Sequence, residues 1–213
     1  MSINDRIDHT ILNADATKDE IIGYCEDAKK YSFASVVVNS VNVPIIAKEL
    51  SDSDTNIVAV VGFPLGAMLT EVKAFEASQC VKYGAKEIDM VINIGALKDK
   101  DYKVVEEDIR VIVEASKPAL VKVIIETSLL TDEEKVKACE LSVSGGAAFV
   151  KTSSGFSTHG ATVQDIRLMK DTVGNSAFVK ASGGIRTYED AMSMIDAGAD
   201  RIGVGDGKLL VRE

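Results

Sequence analysis

The chain has 213 residues, enough for one large domain or two small ones with a sizeable core. With 46% hydrophobic and 27% charged residues it has the composition of an ordinary globular protein. A formal net charge of -9 argues against a nucleic-acid-binding surface and leaves any phosphate recognition to local sites built from backbone.

No apolar run reaches membrane-spanning length, and the polar start Met1-Ser2-Ile3-Asn4-Asp5-Arg6 is unlike a signal peptide. A cytoplasmic protein with neither membrane nor nucleic-acid partners is expected. Cys25, Cys80 and Cys139 are odd in number and far apart, so they give neither a disulfide framework nor a metal cluster. His9 and His159 lie on separate segments and make no zinc ligand set, so no metal site is expected, although carboxylates could still hold magnesium.

Short β-branched runs recur along the chain. The predicted strands are Arg6 to Ile11, Ser35 to Val38, Asn56 to Val61, Glu87 to Val91, Leu120 to Ile125, Ala148 to Lys151, Phe178 to Ala181 and Arg201 to Val204. They start at intervals of roughly 20 to 35 residues, the length of a strand, a turn, a helix and a turn. Between them lie helical patterns such as Ile109, Ile112 and Val113, with start signals at Thr70-Glu71 and Thr131-Asp132-Glu133-Glu134. Strand and helix alternating eight times point to a (β/α)8 barrel. The alternative, a doubly wound open sheet, lacks an early Gly-x-Gly-x-x-Gly turn; Gly203-x-Gly205-x-Gly207 follows the last strand instead. No linker divides the chain, so residues 1–213 read as a single catalytic barrel domain. After Gly207 there is room only for a short final helix, or none.

Two segments share one design. Phe149-Val150-Lys151-Thr152-Ser153-Ser154-Gly155 and Phe178-Val179-Lys180-Ala181-Ser182-Gly183-Gly184 each end an apolar strand on a lysine and run into a small, anion-friendly turn. Burying one ammonium costs several kcal/mol, so the repetition points to a site. Strand alternation places Lys151 with Phe149, Lys180 with Phe178, Asp89 with Glu87 and Val91, Lys122 with Ile124 and Glu126, and Asp8 with Arg6 and Thr10 on shared faces. In a barrel these would gather near the C-terminal strand ends, where active sites form.

Paired amines have a chemical use. A free lysine, with a pKa of about 10.4, is neutral in roughly one molecule in a few thousand at pH 7. A second ammonium about 4 Å away, at an effective dielectric of about 20, disfavours the charged form by ~4 kcal/mol, or about three pKa units. A neutral amine so placed can attack a carbonyl and form a Schiff base, and a carboxylate such as Asp89 can shuttle the protons. The combination describes an aldolase acting on a phosphorylated aldehyde.

The same residues resemble the deoxyribose-phosphate aldolase family over almost the whole chain. The matching motifs are Asp8-His9-Thr10, the segment from Ser35 to Pro44, Val61-Gly62-Phe63-Pro64-Leu65-Gly66, Glu87 to Gly95, Lys122-Val123-Ile124-Ile125-Glu126-Thr127, Lys151 to Phe156, and Lys180 to Arg186, in the family's order. The resemblance implies that Lys151 forms the Schiff base with acetaldehyde and that Lys180 lowers its pKa. It also implies that Asp89 joins the proton relay, that Asp8, Thr10 and Lys122 support them, and that no cofactor is used. The phosphate of 2-deoxy-D-ribose 5-phosphate would lie on backbone near Ser154, Gly155, Gly183, Gly184 and Gly205. The resemblance implies a monomer or a homodimer, and the short C-terminus leans toward the homodimer.

Four departures bear on this. The last turn, Val204-Gly205-Asp206-Gly207, carries an aspartate where the family commonly has serines; facing a phosphate at 4 Å it would repel by about 1 to 4 kcal/mol, whereas turned away it would leave the glycine amides free. Val37 stands where members often have cysteine, the family's longer C-terminal tail is missing, and His159 replaces a glycine in a loop. Two rival readings stay open, a Schiff-base aldolase for an unphosphorylated or different aldehyde and a non-catalytic phosphosugar-binding barrel.

Overall fold

In the computed structural model, which describes residues 2–212, eight parallel strands close into one barrel in sequence order. They are β1 (Ile7–Ile11), β2 (Ser35–Val38), β3 (Asn56–Val61), β4 (Glu87–Val91), β5 (Leu120–Ile124), β6 (Phe149–Lys151), β7 (Phe178–Ser182) and β8 (Arg201–Val204). The seam is shut by β1 on β8, with Asp8 opposite Gly203 and His9 opposite Val204. Strands covered on both faces favour unbroken β-branched runs, and β2 is buried along its whole Ser-Val-Val-Val length. Arg6 is the exception to the expected pairing. It belongs to a 3-10 turn before β1 and donates to the Ala199 carbonyl, so it does not share the lumen face with Asp8.

The outer layer is α1 (Lys18–Tyr31), α2 (Val43–Glu49), α3 (Thr70–Lys82), α4 (Ile94–Lys98), α5 (Tyr102–Ala115), α6 (Asp132–Ser144), α7 (Val163–Val173) and α8 (Tyr188–Asp196). Three helices start on reciprocal caps, Thr17 with Glu20, Thr131 with Glu134 and Thr187 with Asp190, each satisfying otherwise orphaned amides. Two helices follow β4, and the position after β8 is held by a 3-10 turn, Gly207–Leu210. Its Leu210 is fully buried and joins the core between strands and helices.

Most apolar side chains lie between the strands and the helices. A second, smaller cluster, Leu12, Val37, Val58 and Val60 with Phe63 against it, lies apart from that main core. Val37 is thus a packing residue, and the three cysteines are buried with thiols pushed up to about 12 by burial. Outside the lumen, Lys73 and Asp108 form a buried pair 2.5 Å apart. Lys73 also donates to the Val91 carbonyl at 3.2 Å, tying α3, α5 and the end of β4 together.

His9 anchors the last turn. Its ring stacks on Tyr24 at 4.1 Å, and its Nδ1 accepts the Gly207 N–H at 3.0 Å, which leaves the proton on Nε2. Burial lowers its pKa from 6.5 to about 4, despite the nearby Asp206 and Asp27 carboxylates. The unfolded chain therefore binds a proton that the folded chain refuses, and stability should fall as pH drops from about 6.5 to about 4. The expected loss is on the order of 3 kcal/mol. Urea midpoints measured across that window should show this slope in the native chain and a flatter one in His9→Phe; equal slopes would mean that His9 is not the responsible group.

Candidate active site

The lysines meet on one carboxylate. Alternation along β4, β5, β6 and β7 turns Asp89, Lys122, Lys151 and Lys180 inward, and register sets Asp89 opposite Lys122 and Lys151 opposite Lys180. Asp89 Oδ2 accepts from Lys151 and from Lys180, both at 2.8 Å, while Oδ1 accepts from Lys122 at 2.9 Å. Asp8 of β1 pairs with Lys180 at 2.5 Å and also accepts from Ser35. Lys151 is 3% exposed and the others are sealed off, so only Lys151 reaches the mouth of the barrel.

Burial is the main force on the Lys151 amine. It lowers the pKa to about 8, with help from the Lys180 and Lys122 charges and against the pull of Asp89. Repulsion between the amines, expected from sequence to lead, comes second to burial, and the intervening carboxylate offsets much of it. At a pKa of about 8, about one Lys151 in ten is neutral at pH 7, against roughly one in a few thousand for an ordinary lysine. Lys122 moves the other way: Asp89, Glu87 and Asp8 outweigh its burial and hold its proton more tightly. Burial would raise the Asp89 and Asp8 carboxyls, but the surrounding cations outweigh it and keep both below the usual range.

Above the amine opens a cavity of about 260 Å³ at the C-terminal strand ends, the active-site end of such barrels. Its walls include Thr10, Asn13, Lys151, Ser154, Gly155, Phe156, Gly183, Gly203 and Gly205. Among the expected phosphate positions, Ser154, Gly155, Gly183 and Gly205 line it; Gly184 lies one residue outside the wall. Thr10 lines it too, but its hydroxyl donates to the Asp8 carbonyl and not to a charged side chain. Glycine is favoured at Gly203, where a Cβ would lie 2.9 Å from Ser182 Cβ and 3.1 Å from Lys180 Cε, and required at Gly160, where it would strike the Gly183 backbone.

The last turn divides its labour. Gly203 makes room for Lys180, Gly205 faces the cavity, and Gly207 points away to His9. Asp206 accepts the Lys208 N–H at 3.0 Å and starts the 3-10 turn, so its carboxylate is directed outside the cavity wall. His159 is exposed and reaches only the Gly160 carbonyl.

Sequence reasoning missed the lower end of the charge network. Arg201 of β8 donates to Asp8 and to Glu87, and Glu87 contacts Lys122. The available signal was Arg201 sharing a strand face with Gly203, two residues on. Glu126, expected on the lumen face with Lys122, sits past β5 with φ 57, which breaks the alternation. Its carboxylate accepts the Ser154 N–H at 3.1 Å and braces the cavity loop.

Fold and cavity together give a (β/α)8 barrel with a buried amine of lowered pKa at the floor of its C-terminal cavity. A sequence model for DeoC/LacD family aldolases matches residues 5–211. The deoxyribose-phosphate aldolase of Clostridium tetani is 58% identical over 214 residues, covering 100% of this chain and 99% of that one. Among solved structures, the aldolase QR15 superposes with a TM-score of 0.95 at 38% identity, over 99% of this chain and 94% of that one. The deoxyribose phosphate aldolase of Aeropyrum pernix, described as tetrameric, gives a TM-score of 0.92 at 32% identity, over 98% and 88%. The chain belongs to the DeoC/LacD family of aldolases.

Proposed function

We propose that residues 1–213 form one catalytic domain that reversibly cleaves 2-deoxy-D-ribose 5-phosphate into D-glyceraldehyde 3-phosphate and acetaldehyde. The observation that carries the reading is Lys151: a buried amine at the cavity floor, its pKa lowered to about 8, and held 2.8 Å from Asp89. Its 58% identity to a deoxyribose-phosphate aldolase supports the substrate.

In the cleavage direction the neutral Lys151 amine attacks C1 of the open-chain sugar and water leaves, forming a protonated imine. Loss of the C3 hydroxyl proton breaks the C2–C3 bond, and its electron pair moves into the enamine, releasing glyceraldehyde 3-phosphate. Protonation of C2 and hydrolysis then free acetaldehyde and return the amine. Asp89 accepts from all three lysines and its own proton is held off firmly, so it acts as their counter-ion and passes a proton between them without retaining it. Backbone near Gly155, Gly183, Gly184 and Gly205 receives the phosphate, with Ser154 shaping the turn by accepting the Phe156 N–H.

The phosphate is tested by comparing substrates. Cleavage of deoxyribose 5-phosphate should exceed that of free deoxyribose in kcat/KM by about 100-fold or more, the worth of two charge-assisted hydrogen bonds. Asp206→Ser should change KM for the phosphosugar less than about 5-fold, because the carboxylate is turned outward. Equal efficiency on both sugars would favour an unphosphorylated substrate, and cleavage of neither would leave a binding role.

A second copy of the chain is the proposed partner. Val41, Met68, Leu69, Val72, Phe75 and Tyr83 are 40% to 77% exposed, and five of them surround a hollow of about 570 Å³ beside α2 and α3. An apolar patch of this kind marks an interaction surface. Light scattering should give a dimer at micromolar concentration and a monomer for Phe75→Glu; a monomeric native chain would contradict the proposal. No described helix is long and apolar enough to cross a membrane, and the free buried thiols suit the reducing cytoplasm proposed as its location.

A further inference from the structure

The charges inside the barrel do not balance. Four cations, Lys122, Lys151, Lys180 and Arg201, meet three carboxylates, Asp8, Glu87 and Asp89, in one continuous network. At its lower end Arg201 donates from Nε to Asp8 at 3.0 Å and from Nη1 to Glu87 at 3.3 Å, and it borders the opposite, N-terminal mouth of the barrel. Neither Arg201 nor Glu87 lines the catalytic cavity, so contact with substrate does not explain them.

The way the pairs are shared decides where the surplus charge falls. Asp8 is taken by Lys180 and Arg201, and Glu87 by Lys122 and Arg201. Lys122 and Lys180 thus have a second carboxylate each, whereas Lys151 has only its share of Asp89. Retaining a cation at such a position is the least favourable arrangement the network offers.

We propose that Arg201 and Glu87 are positioning residues for the reaction, a distal charge balance that makes Lys151, and neither of its neighbours, the amine that gives up its proton. The inference rests on Lys151 being the nucleophile. The charged groups facing Lys151 are Asp89 of β4, Lys122 of β5 and Lys180 of β7; Asp8 of β1, Glu87 of β4 and Arg201 of β8 act through them. The side chains that β2 and β3 turn toward this network, Ser35 on Asp8 and Asn56 on Glu87, with Val37, Val58 and Val60 beside them, are uncharged. When Arg201 is removed, Asp8 still pairs with Lys180 and Glu87 with Lys122, so the change in field is felt by Lys151.

The test is the pH dependence of acetaldehyde trapping by borohydride on the full chain, read as modification of the Lys151 peptide. Removing one unit charge two ion pairs away, at an effective dielectric of about 20, moves a pKa by about one unit. Arg201→Met should raise the trapping midpoint by about one pH unit and Glu87→Gln should lower it by about the same amount. Arg201→Lys and the double variant Arg201→Met with Glu87→Gln keep the net charge, and both should return near the native midpoint. A purely structural role would move both single variants the same way and leave the double variant worst; that pattern, or unmoved midpoints in folded variants, would overturn the proposal. Circular dichroism identifies a variant that fails to fold, in which case Glu87→Gln and the double variant decide. Failure of the underlying reading looks different: the native chain itself would give no Lys151 adduct.

Discussion

Lys151→Ala is expected to lose at least about 10⁴-fold in kcat for deoxyribose 5-phosphate cleavage and to lose all borohydride-trappable adduct, while remaining folded. No other amine can replace it. Lys180 is 1% exposed and committed to Asp8 and Asp89, and Lys122 is sealed and holds its proton more tightly than an ordinary lysine. The variant also removes the surplus cation, leaving three cations against three carboxylates, so its thermal midpoint should equal or exceed that of the native chain. Loss of activity with retained stability separates a missing nucleophile from a broken fold. A Lys151→Ala chain that still cleaves at a tenth of the native rate would exclude Lys151 as the nucleophile.

Asp89→Asn has the opposite profile on stability. Three ammonium groups within 2.9 Å would lose their common counter-charge, and a buried network broken on one side costs about 3 to 5 kcal/mol. Chemical denaturation should show that loss directly. The lysines, now less compensated, would release protons more readily, so trapping at Lys151 should persist at lower pH. Turnover should nonetheless fall by about 100-fold or more, because the group that redistributes protons between imine and enamine is gone. Trapping retained with turnover lost is the signature; native turnover in a stable Asp89→Asn chain would assign Asp89 no part in the reaction.

The strands were legible because parallel strands covered on both faces require near-continuous β-branched runs, and β2, β3, β4 and β8 begin and end at the predicted residues. Alternation was enough to bring Asp8, Asp89, Lys122, Lys151 and Lys180 to one lumen, since a side chain two residues on returns to the same face. Alternation fails where the backbone leaves the extended region, as at Glu126, and that change of φ has no marker in the sequence.

What sequence could not carry was orientation and balance. Asp206 reads as a charge at a phosphate turn, and only the cap it makes on Lys208 N–H shows that its carboxylate leaves the cavity. Arg201, at the first position of its strand, carries no motif that marks it, and its contacts with Asp8 and Glu87 come from the closure of the barrel. The cause of the Lys151 shift was likewise hidden, because two amines with a carboxylate between them repel far less than two amines alone, and burial then takes the lead. His9, adjacent to Asp8, faces the opposite way and supports the fold.

The most direct test of Lys151 as the Schiff-base nucleophile is borohydride reduction of the native chain with acetaldehyde near pH 7, followed by intact mass and peptide mapping. The expected result is a single ethyl group confined to the peptide that contains Lys151. An unmodified chain, or ethyl groups scattered over exposed lysines with Lys151 untouched, would contradict it.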